Sequence, residues 1–267
     1  MHETAFAKIN LALHVRGRMP DGYHRIETVF AFAEDGDVVS VAESDSLELE
    51  ISGPFAGDLA ADEDNLVLRA AKALRDRYGV SVGARLALDK RLPVASGIGG
   101  GSADAAAALR LLARWWGVGA DEADLLGLAA SLGADVPACL LSRSARGTGR
   151  GDALEPVDEG LSGRPVLLVN PCVPVSTASV FRGWDGIDRG PLAAWQDGRN
   201  DLEAAARAIA PEIGDVLAAL SGADLARMSG SGATCFGLYS TEGARDSAAR
   251  AILGSHPVWW RLPSRLR

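Results

Sequence analysis

Apolar and polar positions alternate along residues 6–15, with Ile9, Leu11, Leu13 and Val15 on one side and Lys8, Asn10, Ala12 and His14 on the other. A period of two predicts a strand with two faces. On the pattern alone, Lys8 and Asn10 would form its solvent face. A loop rich in turn formers, from Arg16 to His24, leads to a second alternating run at Ile26, Thr28, Phe30 and Phe32. Residues 38–41 and 47–51 read as further strands. The period then lengthens: Asn65 stands ahead of Leu66, Ala70, Leu74 and Tyr78, and Gly79 follows, which predicts a capped helix. Residues 85–92 read as a strand, Ala105 to Trp116 as a buried helix ending at Gly117, and Asp121 to Leu132 as a capped helix stopped by Gly133.

Beyond that stop, residues 139–146 and 154–157 read as strands. The remainder alternates: a strand at 166–170, helices from about Val175, Asn200 and Pro211, strands at 225–229 and 234–239, a helix at 242–253 and a strand at 258–262. Asn200 with Glu203 has the form of a capping box, and Pro211 suits a helix start. Strands and helices mixed in this order predict an α+β layer with an antiparallel sheet.

The strand at 85–92 and the buried helix are joined by Pro93-Val94-Ala95-Ser96-Gly97-Ile98-Gly99-Gly100-Gly101-Ser102-Ala103-Asp104, four glycines within five residues. Glycine permits positive φ and close approach of a ligand, and the first turn of a helix offers N–H groups without internal partners. With the positive end of the helix dipole, that combination suits phosphate. Ser102 is the expected cap, and Asp104 falls in the first turn. A Walker A loop would need Lys and then Ser or Thr after its last glycine, but Ser102-Ala103 follows. The dinucleotide fingerprint fails because Ser102 stands where its third small residue belongs and no second strand with a terminal acid follows.

A chain of 267 residues with 48% apolar content has ample core for one large or two ordinary domains. A net charge of −8 argues against a nucleic-acid or anionic-membrane surface. Cys139, Cys172 and Cys235 are odd in number and too far apart for a metal pair, which points to a reduced, cytoplasmic setting. Neither an apolar run of about 18 residues nor a signal-peptide pattern occurs.

Pro93-x-x-x-Gly97-x-Gly99-Gly100-Gly101-Ser102 ahead of a helix resembles the central motif of the GHMP kinases, small-molecule kinases that hold ATP on such a loop. Ala7-Lys8-Ile9-Asn10-Leu11-x-Leu13, Gly17-Arg18-x-x-Asp21-Gly22-Tyr23-His24 and Thr28 are similar to the branch of that family acting on a cytidyl-diphosphate methylerythritol, 4-diphosphocytidyl-2-C-methyl-D-erythritol, in the non-mevalonate route to isoprenoids. The resemblance implies a two-domain GHMP kinase fold, with residues 1–156 similar to a ribosomal-protein fold and 157–267 ferredoxin-like. It implies ATP and Mg2+ as cofactors, a monomer or weak homodimer, and no metal ligands that can be named.

By the same resemblance, Asp135 in Gly133-Ala134-Asp135-Val136-Pro137 is the catalytic base and Lys8 neutralises charge beside it. Residues Pro93 to Ser102 bind the ATP, with Gly97 to Ser102 holding the triphosphate and Asn65 near the adenosine. Asn10 orients the erythritol portion, Tyr23 and His24 meet the cytosine, and Thr177 and Phe181 belong to the substrate segment. A second glycine loop, Ser229-Gly230-Ser231-Gly232-Ala233, matches the family's third motif, although on spacing alone it is equally a tight turn. At the first loop Ala103 replaces a serine common in the family, and one hydroxyl is lost. Two rivals stay open: another GHMP activity, of homoserine or mevalonate type, and a non-catalytic ligand sensor. The former has no reason for Asp21-Gly22-Tyr23-His24, and the latter would lose Lys8 or Asp135.

Overall fold

A computed structural model describes residues 1–158 and 160–267. The strands are β1 (His2–Arg18), β2 (His24–Ala42), β3 (Leu47–Ser52), β4 (Ala84–Asp89), β5 (Ala145–Thr148), β6 (Ala153–Pro156), β7 (Pro165–Asn170), β8 (Leu225–Met228), β9 (Cys235–Leu238) and β10 (Trp260–Arg265). The helices are α1 (Leu66–Tyr78), α2 (Gly100–Trp116), α3 (Glu122–Leu132), α4 (Val136–Leu141), α5 (Thr177–Arg182), α6 (Glu203–Ile209), α7 (Glu212–Ala219) and α8 (Glu242–Ser255). They form two compact units: Met1–Ala7, Asp35–Val94 and Gly99–Ser142 in one, Lys8–Glu34, Ala95–Ile98 and Arg143–Arg267 in the other. Strands β1 and β2 pair with each other and run through both units.

In the first unit β4 pairs in parallel with β3, Leu86 opposite Leu49, and antiparallel with the end of β2, Leu88 opposite Val39. Helices α1 to α4 pack on one another, and α2 is the central one, with Ala105, Ala106, Ala107, Ala108 and Leu109 all fully buried. Small side chains on several sides let other helices approach closely. Caps act as expected at α1, where Asn65 accepts from the Val67 N–H, and at α3, where Asp121 accepts from the Asp124 N–H.

In the second unit β7, β8, β9 and β10 form an antiparallel sheet in the order β10-β7-β9-β8. With helices between β7 and β8 and α8 between β9 and β10, this is the expected ferredoxin-like arrangement. Leu167 and Val169 of β7 share a buried cluster with Leu13 and Val15 of β1, Leu202, Val216, Met228 and Trp259. Both faces of β1 are therefore covered: Lys8, Asn10 and His14 are as buried as their apolar neighbours.

Several elements differ from the pattern-based expectation. The two strands placed at 26–32 and 38–41 are one strand, β2, carried through Glu34-Asp35-Gly36-Asp37. Gly36 permits this, because a Cβ there would lie 1.9 Å from the Ala5 carbonyl oxygen. The strand placed at 139–146 is instead α4 followed by β5. Val136, although it precedes Pro137, is helical; as the first residue of α4 it needs no N–H from Pro137, so the proline is tolerated in the first turn. The N-cap of α2 is Gly99, not Ser102, and α6 starts at Glu203 after Leu202, so Asn200 does not cap it.

Candidate active site

The glycine loop is built from unusual backbone. Ala95, Gly97 and Gly99 have φ of 50°, 77° and 65°. Only the latter two are free of a Cβ penalty. At Gly99 the conformation starts α2 with a cap that has no side chain. The first internal bond runs from the Ala103 N–H to the Gly99 carbonyl, so the N–H groups of Gly100, Gly101 and Ser102 point out of the helix start with no side-chain cap. Those three donors and the dipole of a 17-residue helix favour an anion. A Cβ on Gly101 would approach only Leu66 Cδ1, at 3.7 Å, which sets Asn65-Leu66 of α1 beside this turn. The loop thus fits a nucleotide triphosphate, with Asn65 adjacent.

Lys90, which sequence reading missed, stands beneath the same turn. Its Nζ donates to Asp37 Oδ2 at 2.5 Å and Asp104 Oδ2 at 2.7 Å. All three side chains are buried to 2% exposure or less. Asp104 therefore faces inward instead of serving the helix dipole at the surface. Burial above all, and then the Asp37 carboxylate, push Asp104 up to about 8 against the pull of Lys90, whereas the two carboxylates hold Lys90 above its ordinary range. Asp37 Oδ1 accepts from the N–H groups of Arg91 and Leu92. Removing the lysine from such a cluster costs about 3–5 kcal/mol.

Asp135 is the residue before α4, with φ −84° and ψ −16°, and its side chain does not cap that helix. The far end of α4 is fixed by Arg110 of α2, which donates to the carbonyls of Cys139 and Leu140 and to Ser142 Oγ. A six-residue helix is marginal alone, so this guanidinium sets where Asp135 is held.

In the second unit Lys8 Nζ donates to Asn10 Oδ1 at 3.1 Å and lies 5.1 Å from the Phe30 ring centre. Asn10 Nδ2 donates to Thr28 Oγ1 at 2.8 Å, and Thr28 Oγ1 donates to the Ala12 carbonyl. The second glycine loop seats here: the Asn10 N–H donates to Ser229 Oγ, which donates to the Gly97 carbonyl at 2.9 Å. A Cβ on Gly97 would lie 2.5 Å from the Ser229 carbonyl oxygen, and one on Gly230 would lie 2.7 Å from that of Gly97. The two glycine loops are therefore in backbone contact, which only glycine allows at both positions. Asn200 Nδ2 holds the second loop by the Met228 and Gly230 carbonyls. Thr177 Oγ1 meets Ser231 Oγ at 2.9 Å.

The turn before β2 sets out an aromatic shelf. His24 lies 5.0 Å from Phe181, tilted, and 5.6 Å from Trp184, edge on. Sequence reading missed Trp184. Tyr23 is exposed, its ring covered by the Arg150 guanidinium at 4.3 Å, and Arg150 pairs with Asp21. Burial, with Arg18 nearby, holds the His24 ring below its ordinary pKa, so the neutral ring carries one donor and one acceptor.

Residues 65–143 match the N-terminal domain of GHMP kinases and 187–257 the C-terminal one. A 4-diphosphocytidyl-2-C-methyl-D-erythritol kinase of Rhizorhabdus wittichii is 58% identical over 281 aligned positions, covering 100% of this chain and 96% of the relative. The chain belongs to the GHMP kinases, in the 4-diphosphocytidyl-2-C-methyl-D-erythritol kinase branch. A solved 4-(cytidine 5'-diphospho)-2C-methyl-D-erythritol kinase superposes on this GHMP kinase with TM-score 0.85 and 34% identity, over 100% of this chain and 99% of that one. The homoserine kinase of Cytophaga hutchinsonii, at 19% identity and TM-score 0.71, covers 97% of this chain and 95% of its own, and shares the fold.

In this GHMP kinase Asp104 holds a proton in the folded chain at pH values where the unfolded chain has released it. Its contribution to stability is complete below about pH 4 and is lost as pH rises toward about 8. Asp104→Asn should therefore gain on the parent as pH rises through that window, by at most about 1.4 kcal/mol per pH unit. Urea unfolding at pH 5 and pH 8 checks this, and a difference that does not change with pH would contradict it.

Proposed function

We propose that the chain transfers the γ-phosphoryl group of ATP to the hydroxyl at C2 of 4-diphosphocytidyl-2-C-methyl-D-erythritol, giving the 2-phosphate and ADP. The observation that carries this reading is the uncapped first turn of α2, three backbone donors at a glycine cap. The name of the 58% identical relative supplies the acceptor. Phosphoryl transfer asks the protein for alignment, charge stabilisation and a proton acceptor. The N–H groups of Gly100, Gly101 and Ser102 hold the phosphates, with Pro93 to Gly99 shaping the approach and Asn65 beside the adenosine. Asp135 accepts the hydroxyl proton, and Lys8 balances charge on the transferring group.

Asn10, anchored by Thr28, orients the erythritol portion, and Thr177, held against Ser231, belongs to the substrate segment. His24, Phe181 and Tyr23 receive the cytosine. Mg2+ would bind with the ATP phosphates, keeping several of its waters, and would neutralise charge there. None of the three cysteines forms a disulfide, and no described helix is long and apolar enough to cross a membrane.

Asp135→Asn should keep nucleotide and substrate affinity while lowering kcat by roughly 10²–10⁴, the usual contribution of a positioned base. A folded variant with near-parental kcat would remove Asp135 from the mechanism. A second test concerns the base. Cytosine offers an amino donor and a ring-nitrogen acceptor where uracil offers the opposite pair, and stacking cannot tell them apart. Each unmatched buried group costs about 1–3 kcal/mol, so kcat/KM for the uridyl analogue should fall by on the order of 10²–10⁴. His24→Ala should narrow that gap, and Phe181→Ala should weaken both substrates alike. Competition at fixed ATP decides it: use of both within about threefold, less than one such hydrogen bond, would end the base-reading assignment.

A further inference from the structure

Three charged side chains in the first unit come from three different elements and converge on the glycine loop. Asp37 is on β2, Lys90 follows the end of β4, and Asp104 lies in α2, one turn beyond the phosphate donors. Asp37 Oδ1 holds the N–H groups of Arg91 and Leu92, at 2.6 and 2.8 Å, where the chain enters the loop. Asp104, through Lys90, holds the helix where the chain leaves it. A Cβ on Gly100 would lie 3.0 Å from Lys90 Nζ and 3.9 Å from Asp37 Oδ2. Gly100 has no positive φ, unlike Gly97 and Gly99, so its freedom from a side chain serves the lysine head beneath it.

We infer that Lys90, clamped by Asp37 and Asp104, is a positioning residue for the nucleotide, fixing entry and exit of the glycine loop so that its N–H donors are aimed before ATP arrives. The inference rests on the reading of that loop as the ATP site. A purely structural role accounts poorly for the cluster. Buried ion pairs are commonly replaced by apolar residues with no loss of stability, and this one leaves Asp104 Oδ1 buried without a partner. What an apolar plug could not do is hold two backbone N–H groups at one end of the loop and the helix start at the other. Misaimed donors would weaken phosphate binding without touching the cytidyl side.

Titration calorimetry with a non-hydrolysable ATP analogue, and separately with 4-diphosphocytidyl-2-C-methyl-D-erythritol, tests this on the full chain. Lys90→Met is expected to weaken analogue affinity tenfold or more, leave the cytidyl ligand within twofold, and raise KM for ATP far more than it lowers kcat. Lys90→Met/Asp37→Asn, which removes the carboxylate left without its lysine while keeping an amide oxygen for the Arg91 and Leu92 N–H groups, protects the fold and should show the same split. Asp104→Asn alone keeps an oxygen acceptor for Lys90 and should lose less than Lys90→Met. A folded Lys90 variant, single or double, that binds the analogue within threefold of the parent overturns the inference, as does equal loss of both ligands. Gly101→Val separates this from the underlying reading, since it crowds the donors directly. If Gly101→Val leaves analogue affinity unchanged, the loop is not the ATP site; if it abolishes binding while the Lys90 variants do not, only the positioning role falls.

Discussion

A helix that starts on a glycine with no side-chain cap is the constraint around which the first unit is arranged. Uncapped N–H groups are costly to bury and useful only if an anion meets them. The strand before the loop, the acid one turn into α2 and the lysine between them all bear on keeping that turn in place. The same helix carries Arg110, whose guanidinium fixes the carbonyl end of α4 and so the position of Asp135. The proposed nucleotide cradle and the proposed base thus hang from one buried element.

The second unit is tied together in an analogous way. Its glycine loop at Ser229 to Ala233 is not an isolated hairpin turn, because it lies backbone to backbone against residues 96–98. Ser229 joins that contact to Asn10, and Thr177 reaches the same loop through Ser231. Asn10 and Thr177, two of the residues proposed to meet the acceptor, are therefore both tied to this loop by hydrogen bonds. His24 is fixed by Phe181 and Trp184 through ring contacts.

Much of this was legible in the sequence where the cause is local. Asn65, Asp121 and Gly79 mark helix ends through their own hydrogen bonds and dihedral angles, and the structure places them there. Alternation exposed β1, and the glycine loop announced itself by composition. What escaped was set by distant partners. Nothing local tells that Lys90 meets Asp37, 53 positions away, or that Glu34-Asp35-Gly36-Asp37 stays extended because β1 passes against Gly36. Asn200 looked like a cap by spacing but is drawn to the Met228 and Gly230 carbonyls. The 139–146 segment divides into helix and strand because Arg110 satisfies the carbonyls at the end of α4, a tertiary contact that overrides β propensity.

Transfer from ATP to one hydroxyl of one acceptor is the step proposed for both glycine loops, Asp135 and Lys8. Phosphorus NMR of the purified chain with ATP, Mg2+ and acceptor labelled with carbon-13 at C2 tests it most directly. A new phosphomonoester resonance coupled to the labelled carbon, rising in step with ADP, is the predicted result. ADP and inorganic phosphate with the acceptor unchanged, or a phosphomonoester on a different carbon, would contradict it.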